Sequence, residues 1–251
     1  MRGLIFDLGH TLMHLDATWP QVFQRGAADL AAFVEAQGLG LDGDAFAQVL
    51  LDLRQEGYAH ASETGLEVRA EDTMRQAFAR FDRPDPEPSL LRSAIDAFFA
   101  YEESRWSPDP EASPTLRELA AHGLRLGMFS NATDDLFIQH LVDRLGFRSW
   151  LQPALTSAGT GIRKPQPTAF EPILVAWDLP ASAVAVVGDT LHADILGAQR
   201  AGMRSVWYRS RADARQEGMI GEMAGQREPI TPDATITRLG ELPAVVAGLD
   251  S

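Results

Sequence analysis

The 251-residue chain has no cysteine. That excludes disulfide frameworks and thiolate zinc sites together. A bound metal would have to be held by carboxylate, carbonyl or imidazole groups, and a carboxylate-rich set suits hard Mg²⁺ better than zinc. Positive charge is also scarce: 22 Lys and Arg stand against 35 Asp and Glu, a formal net charge of −13. Nucleic-acid and membrane-surface binders need a basic face, which this balance argues against. An anionic substrate would gain nothing from the global field and would have to be attracted by local cations. No apolar run approaches the ~20 residues that span a bilayer. The opening Met1-Arg2-Gly3-Leu4-Ile5-Phe6-Asp7 is too short an apolar run for a signal peptide, so the expected location is cytoplasmic. Internal repeats and low-complexity tracts are missing too. With 45% hydrophobic residues, the chain can bury one core domain plus a smaller second one.

Residues 3–7 read as a short buried strand ending in an aspartate. Four apolar faces at helical spacing follow: Trp19, Val22, Phe23, Leu30, Phe33 and Val34; Phe46, Val49, Leu50 and Leu53; Met74, Phe78 and Phe81; Leu91, Ala94, Ile95, Phe98 and Phe99. With no strand signal between them, they predict a small helical bundle. Ser107-Pro108-Asp109-Pro110 then punctuates the chain. Beyond it helices and strands alternate: helices near 112–122, 133–145, from about Pro167, near 192–201 and near 240–248; strands at 125–129, near 153–157, at Ala183–Val187, at 204–208 and near 233–236. Residues 210–230 read as a polar surface excursion. Alternating strands and helices imply an α/β doubly wound parallel sheet. The expected organisation is a core of residues 1–14 and 108–251, with residues 15–107 inserted as an α-helical cap.

In such sheets ligands bind beyond the carboxyl ends of the strands. Asp7 ends the first strand, Ser130-Asn131 the next, and Gly188-Asp189 the strongest. Lys164 sits in a loop before a helix, and Asp194 follows five residues after Asp189. Singly each has an ordinary explanation: a turn aspartate, a capping serine, a helix-start charge pattern, a solvated lysine. Together they fall in chain order at the mouth of one sheet, and the chemistry coheres. A carboxylate can attack phosphorus. A divalent metal and a lysine would offset the repulsion between two anions. A hydroxyl and backbone amides at a helix start would bind phosphoryl oxygens.

These residues resemble the four signature motifs of the haloacid dehalogenase superfamily. Ile5-Phe6-Asp7-Leu8-Gly9-His10-Thr11-Leu12 is similar to motif one, Asp-x-Asp-Gly-Thr-Leu. Phe129-Ser130-Asn131 is similar to motif two, and Arg163-Lys164-Pro165-Gln166-Pro167 to motif three. Val187-Gly188-Asp189-Thr190-Leu191-His192-Ala193-Asp194, followed by Gly197, Ala201 and Gly202, is similar to motif four. A helical insertion between motifs one and two is the cap of the first subclass. The resemblance implies Asp7 as nucleophile and Mg²⁺ ligand, Asp189 as a ligand and Asp194 in or near the metal site. It implies Ser130, with Asn131, and Lys164 on the phosphoryl group, and Thr11 supporting the loop. The implied substrate is a small phosphorylated metabolite, and the implied assembly a monomer or homodimer.

One position departs from the pattern. Where family phosphatases carry the second motif-one aspartate, the acid/base, this chain has Gly9. A backbone carbonyl at Gly9 would still reach the metal, but the side-chain acid is gone, a change of about 10²–10⁴-fold in rate. Three readings stand open. A phosphatase would use a substitute acid, with His10 the nearest imidazole and His14 the next. A metal-independent 2-haloacid dehalogenase would attack carbon from Asp7, though the Asp189/Asp194 pair would then be superfluous. A weakly active relative would bind a phosphorylated ligand or partner. In the cap, Arg54, Tyr58, His60 and Arg69 are polar candidates whose ordinary explanation is a solvated helix face. Trp19 is expected to pack the cap. The expected hinges are His14–Thr18 and Arg105–Pro110.

Overall fold

The computed structural model describes residues 1–209 and 230–249. The polar stretch expected at 210–230 therefore lies, except for its last residue, outside them. Six strands form one parallel sheet: β1 (Gly3–Phe6), β4 (Arg125–Ser130), β5 (Ala154–Thr156), β6 (Val184–Gly188), β7 (Arg204–Tyr208) and β8 (Ala234–Ile236), in the order β5-β4-β1-β6-β7-β8. β1 is central, with Ile5 opposite Gly127 on one side and Val186 on the other. Successive residues of β1 serve opposite faces, as strand geometry requires. Leu4 and Phe6 pack in one apolar layer with Met128, Ala185, Leu116 and Leu119. Ile5 packs in the other with Phe129, Phe170, Ile173 and Trp177. Helices α5 (Ala112–Ala121), α6 (Asp135–Arg144), α7 (Ser157–Thr160), α8 (Glu171–Trp177), α9 (Leu196–Arg200) and α10 (Leu242–Gly248) make the connections. The chain moves outward from β1 to β4 and β5, then returns across it to β6. The switch leaves a crevice at the carboxyl ends of β4, β1 and β6.

Between β1 and β4 stand the four helices that the periodicity predicts: α1 (Trp19–Ala36), α2 (Gly43–Thr64), α3 (Ala70–Arg80) and α4 (Pro88–Arg105). α1 packs on α2 and α4, and α3 on α2 and α4. Phe46 lies against Phe78 and Phe81 with ring centroids 4.7 and 5.4 Å apart. Gly26 permits the close approach of α1 to α4, since a Cβ there would stand 2.5 Å from the Phe98 carbonyl oxygen. Among the described residues no helix is long and apolar enough to cross a membrane.

The two chain crossings into this helical segment, expected as hinges, pair with each other. β2 (Met13–Leu15) and β3 (Trp106–Pro108) pair antiparallel, with Leu15 opposite Trp106 and Met13 opposite Pro108. The Asp16 amide donates to the Arg105 carbonyl at 2.9 Å. Three-residue strands leave no readable alternation, and the two prolines concealed β3. Asp109, buried beside this ribbon, accepts from His14 Nε2 at 2.6 Å and from Tyr208 at 3.3 Å.

Gly26→Ala should cost about 1–3 kcal/mol, the usual range for forcing a methyl group into a packed contact. Urea unfolding with an unchanged m-value would read this loss, and an unchanged midpoint would contradict the close approach.

Candidate active site

The carboxyl ends of the strands deliver the site. The Asp7 amide donates to the Val187 carbonyl (2.9 Å), which carries the aspartate one step past the sheet edge. The chain then wraps around Leu8, whose carbonyl accepts from the amides of Thr11, Leu12 and Met13. His10 takes φ 58°, the left-handed conformation that favours glycine. Gly9 and His10 are left on the cavity wall. At the end of β6, Gly188 is required by its neighbour: a Cβ there would lie 2.2 Å from Asp194 Cγ. The widened turn Leu191–Ile195, a π-helical one, folds Asp194 back until its Oδ2 accepts the Thr190 amide at 2.9 Å. Such turns recur where an inserted residue re-aims a functional side chain.

Lys164 brings these pieces together. It is 4% exposed, and its ammonium donates to Asp7 Oδ1 (2.6 Å), Asp194 Oδ1 (2.7 Å) and the Phe129 carbonyl (2.8 Å). All three ammonium protons are used. Burial raises the Asp7 carboxyl to about 6, with Lys164 pulling it down and Asp194 pushing it up. Burial works against the charge of Lys164, but the two carboxylates outweigh it and hold the ammonium above its ordinary range. Carboxylate oxygens of Asp7, Asp189 and Asp194 all lie within 4.8 Å of one another. Three acids and one lysine leave a formal −2 charge in a largely enclosed place.

Of the other residues expected in the site, Ser130 lines the cavity, 6% exposed, and its hydroxyl has no partner among the described residues. Asn131 differs from expectation. Its side-chain amide is engaged by the lysine backbone, with Oδ1 accepting the Lys164 amide and Nδ2 donating to the Lys164 carbonyl, both at 2.9 Å. It therefore positions Lys164 more directly than it could hold a phosphate. Thr11 is fully buried, does not line the cavity, and its hydroxyl finds no partner among the described residues. That suits support of the loop and excludes direct phosphate contact. His14 is set aside as an acid, because Asp109 holds it outside the cavity lining.

The cavity over Asp7 measures about 960 Å³ and is lined by both the sheet ends and the four-helix segment. Trp19, expected to pack the cap, is 36% exposed and lines this cavity instead. Arg54, expected on a solvated face, also lines it, with its guanidinium 4.8 Å from the Phe98 ring centroid and 5.3 Å from that of Phe99. Desolvation lowers its pKa against the pull of Glu102, Glu67 and Asp134. Tyr58 borders the cavity too, whereas His60 and Arg69 are solvent-exposed and do not. Three further residues carried no sequence signal. Glu67 meets Arg163 Nη1 with both carboxylate oxygens (2.8 and 2.7 Å) and accepts from Ser157, tying the α2–α3 loop to the lysine loop. Trp106 donates its Nε1 to Glu102 Oε1 at 3.1 Å, and its Cη2 lies 3.4 Å from where a Gly9 Cβ would stand.

A family model for haloacid dehalogenase-like hydrolases matches residues 1–202. The chain is 30% identical over 256 residues, covering 98% of itself and 99% of the relative, to a ribulose-1,5-bisphosphate 5-phosphatase of Halopiger xanaduensis. It is 25% identical, over 99% and 98% of the two chains, to a glyceraldehyde 3-phosphate phosphatase of Methanocaldococcus jannaschii. Among solved structures, a 2-haloacid dehalogenase from Pseudomonas syringae pv. Tomato superposes with a TM-score of 0.69 at 27% identity, covering 99% of both chains.

Lys164→Met should lose about 3–5 kcal/mol in urea unfolding near neutral pH, because two buried carboxylates would face each other without their cation. The sign with pH follows. Without the lysine, Asp7 stays above its unfolded value of 3.8, so the native state binds the extra proton and stability returns as pH falls through the folded pKa. A deficit that stays constant or grows on acidification would contradict the cluster.

Proposed function

The chain belongs to the haloacid dehalogenase-like hydrolases, and on that footing we propose that it hydrolyses small phosphate esters with Mg²⁺ through an aspartyl-phosphate on Asp7. The observation that carries this reading is the Lys164 ammonium held between Asp7 and Asp194, with the Ser130 hydroxyl, unpartnered among the described residues, on the same cavity wall. The phosphatase names of the relatives from Halopiger and Methanocaldococcus support it. The 2-haloacid dehalogenase likeness supports the alternative of attack on carbon, which the three-acid cluster disfavours, since that chemistry needs no metal.

The residues fit Mg²⁺. Asp7, Asp189 and Asp194 offer hard oxygen donors within 4.8 Å, their excess negative charge calls for a cation, and the Gly9 carbonyl stands on the same loop. Asp7, Asp189 and that carbonyl would hold the ion, with Asp194 already committed to Lys164 and Thr190. Bound there, Mg²⁺ would supply charge neutralisation for the phosphoryl oxygens. Asp7 Oδ2, opposite the oxygen that Lys164 holds, attacks phosphorus. Ser130 orients the phosphoryl oxygens, Lys164 offsets their charge while holding Asp7 Oδ1, and the ester oxygen leaves. Water then attacks the phosphoryl group on Asp7, releasing phosphate and restoring the carboxylate. Gly9 carries no proton for the leaving group; His10, on the cavity wall beside it, is the imidazole in reach of that task.

Phosphate release from p-nitrophenyl phosphate should require Mg²⁺, stop in EDTA and vanish in Asp7→Asn. Metal-free halide release from 2-chloropropionate would replace this reading with the dehalogenase one, and no turnover at all with ligand-induced stabilisation would indicate a binding protein. Mg²⁺ at 100 times its Kd should stabilise the protein by about 2.7 kcal/mol, and Asp189→Asn should abolish the corresponding rise in Tm. His10→Ala should lower kcat on an alkyl phosphate about tenfold or more; unchanged kinetics would remove His10 from the proton path.

A further inference from the structure

We propose that Trp19, Phe23 and Trp106 form the leaving-group subsite and that it takes a planar aromatic group, so that the preferred substrates are aryl phosphomonoesters. The inference rests on the phosphatase reading and narrows it beyond the sugar phosphates named for the relatives.

The first argument is exposure. Val22, Leu30 and Val34 of α1 are buried, as a packing face should be, but Trp19 and Phe23 are 36% and 37% exposed and border the cavity that holds Asp7. Their rings stack one turn apart, centroids 5.8 Å and planes 26° apart. Trp106 stands edge-on to Trp19 at 6.4 Å and to His10 at 5.4 Å. Its indole nitrogen is committed to Glu102, which fixes the ring, and its far edge approaches position 9. The result is an aromatic wall running outward from the loop that carries Asp7. Trp19 and Phe23 leave ring surface open at the cavity wall, backed by the buried Trp106, and open ring surface matches a ligand ring by offset stacking or edge contact. The hydroxyls of a sugar would find few partners along them.

The second argument is the absent acid. In the attack step the Asp7 oxygen bonds to phosphorus, the P–O bond to the leaving group breaks, and the electron pair departs on that oxygen. An aliphatic alcohol holds its proton about as tightly as water, so it depends on an acid that position 9 does not carry and that His10 would have to supply. A phenol ionises at about 10; it leaves as the aryloxide and takes its proton from water. Water attack on the aspartyl-phosphate then returns Asp7 as carboxylate and releases hydrogen phosphate. The balance is one ester and one water giving one phenol and one phosphate. The missing position-9 carboxyl favours leaving groups that depend least on an acid, and the aromatic wall favours the same substrates.

The test uses the full chain with Mg²⁺ and compares 1-naphthyl phosphate and a graded series of substituted phenyl phosphates with ribose 5-phosphate and glycerol 3-phosphate. We expect kcat/KM on naphthyl phosphate to exceed that on either alkyl ester about 100-fold, and kcat along the phenyl series to fall as leaving-group pKa rises. Trp19→Ala and Phe23→Ala should raise KM on naphthyl phosphate about tenfold, more than they change kcat, and Trp19→Phe should restore part of the loss. Gly9→Asp, whose Cβ would meet Trp106 at an ordinary 3.4 Å, should raise turnover of the alkyl esters more than of the aryl ones. Preference for alkyl esters, a flat phenyl series, or an unmoved naphthyl KM in both alanine variants would overturn the proposal. Absence of phosphate release from every ester would remove the phosphatase reading itself.

Discussion

A lysine ammonium in a largely buried place, with all three protons donated, is the interaction on which the site depends. Burying a charge costs several kcal/mol unless partners replace its water. Here two carboxylates and one carbonyl do so. Each partner comes from a different strand end: Asp7 after β1, Phe129 in β4, and Asp194 beyond β6. The lysine can be satisfied only when the three strands are in register and the turn after Gly188 has folded Asp194 back. Asn131 then fixes the lysine loop by gripping both backbone polar groups of Lys164. The sheet topology and the charge cluster are thus one constraint viewed from two sides.

Much of this was legible in the sequence, for identifiable reasons. β6 reads as a continuous apolar run because both its faces are covered, and the helices of the inserted segment show full apolar stripes. Asp7, Lys164, Asp189 and Asp194 were legible as a set because Asp7 and Asp189 end predicted strands and Lys164 and Asp194 fall in chain order in the segments beside them. Short pairings and long-range contacts were not. The β2–β3 ribbon has three residues a side, with Pro108 in one strand. The partners of Asn131, Glu67 and Arg54 are brought near by the fold and carry no local periodicity. Trp19 and Phe23 follow the same spacing as the buried residues of α1, so spacing alone could not separate a packing face from a cavity wall.

The segment over the cavity is bound to the core at its α2–α3 loop as well as through the β2–β3 ribbon. Glu67 closes on Arg163, the residue before Lys164. The Ala70 amide donates to the Thr133 carbonyl at 2.8 Å, just beyond Asn131. These contacts meet the two loops that fix the lysine and the Ser130 hydroxyl. Placement of the covering segment and placement of the phosphoryl-binding groups therefore share the same backbone, so displacement of the α2–α3 loop would be felt at Lys164 before it reached Asp7.

Position 10, like Asp82 and Asp178, takes a left-handed backbone without being glycine, and of the three it is the one beside the site. A left-handed residue is ordinarily glycine, since a side chain there costs about 1–2 kcal/mol. The family pattern has an acid at position 9 and glycine at position 10. This chain has glycine at 9, where φ does not require it, and histidine at 10 with φ 58°. Backbone preference alone would favour the reverse arrangement. The contacts explain it better: the His10 and Trp106 rings meet in a T-shaped pair, and the same indole closes on position 9. Departures from local rules that persist are those the surroundings hold in place, and they gather at functional sites. Here the surroundings are the indole itself, which links the altered loop to the aromatic wall above it.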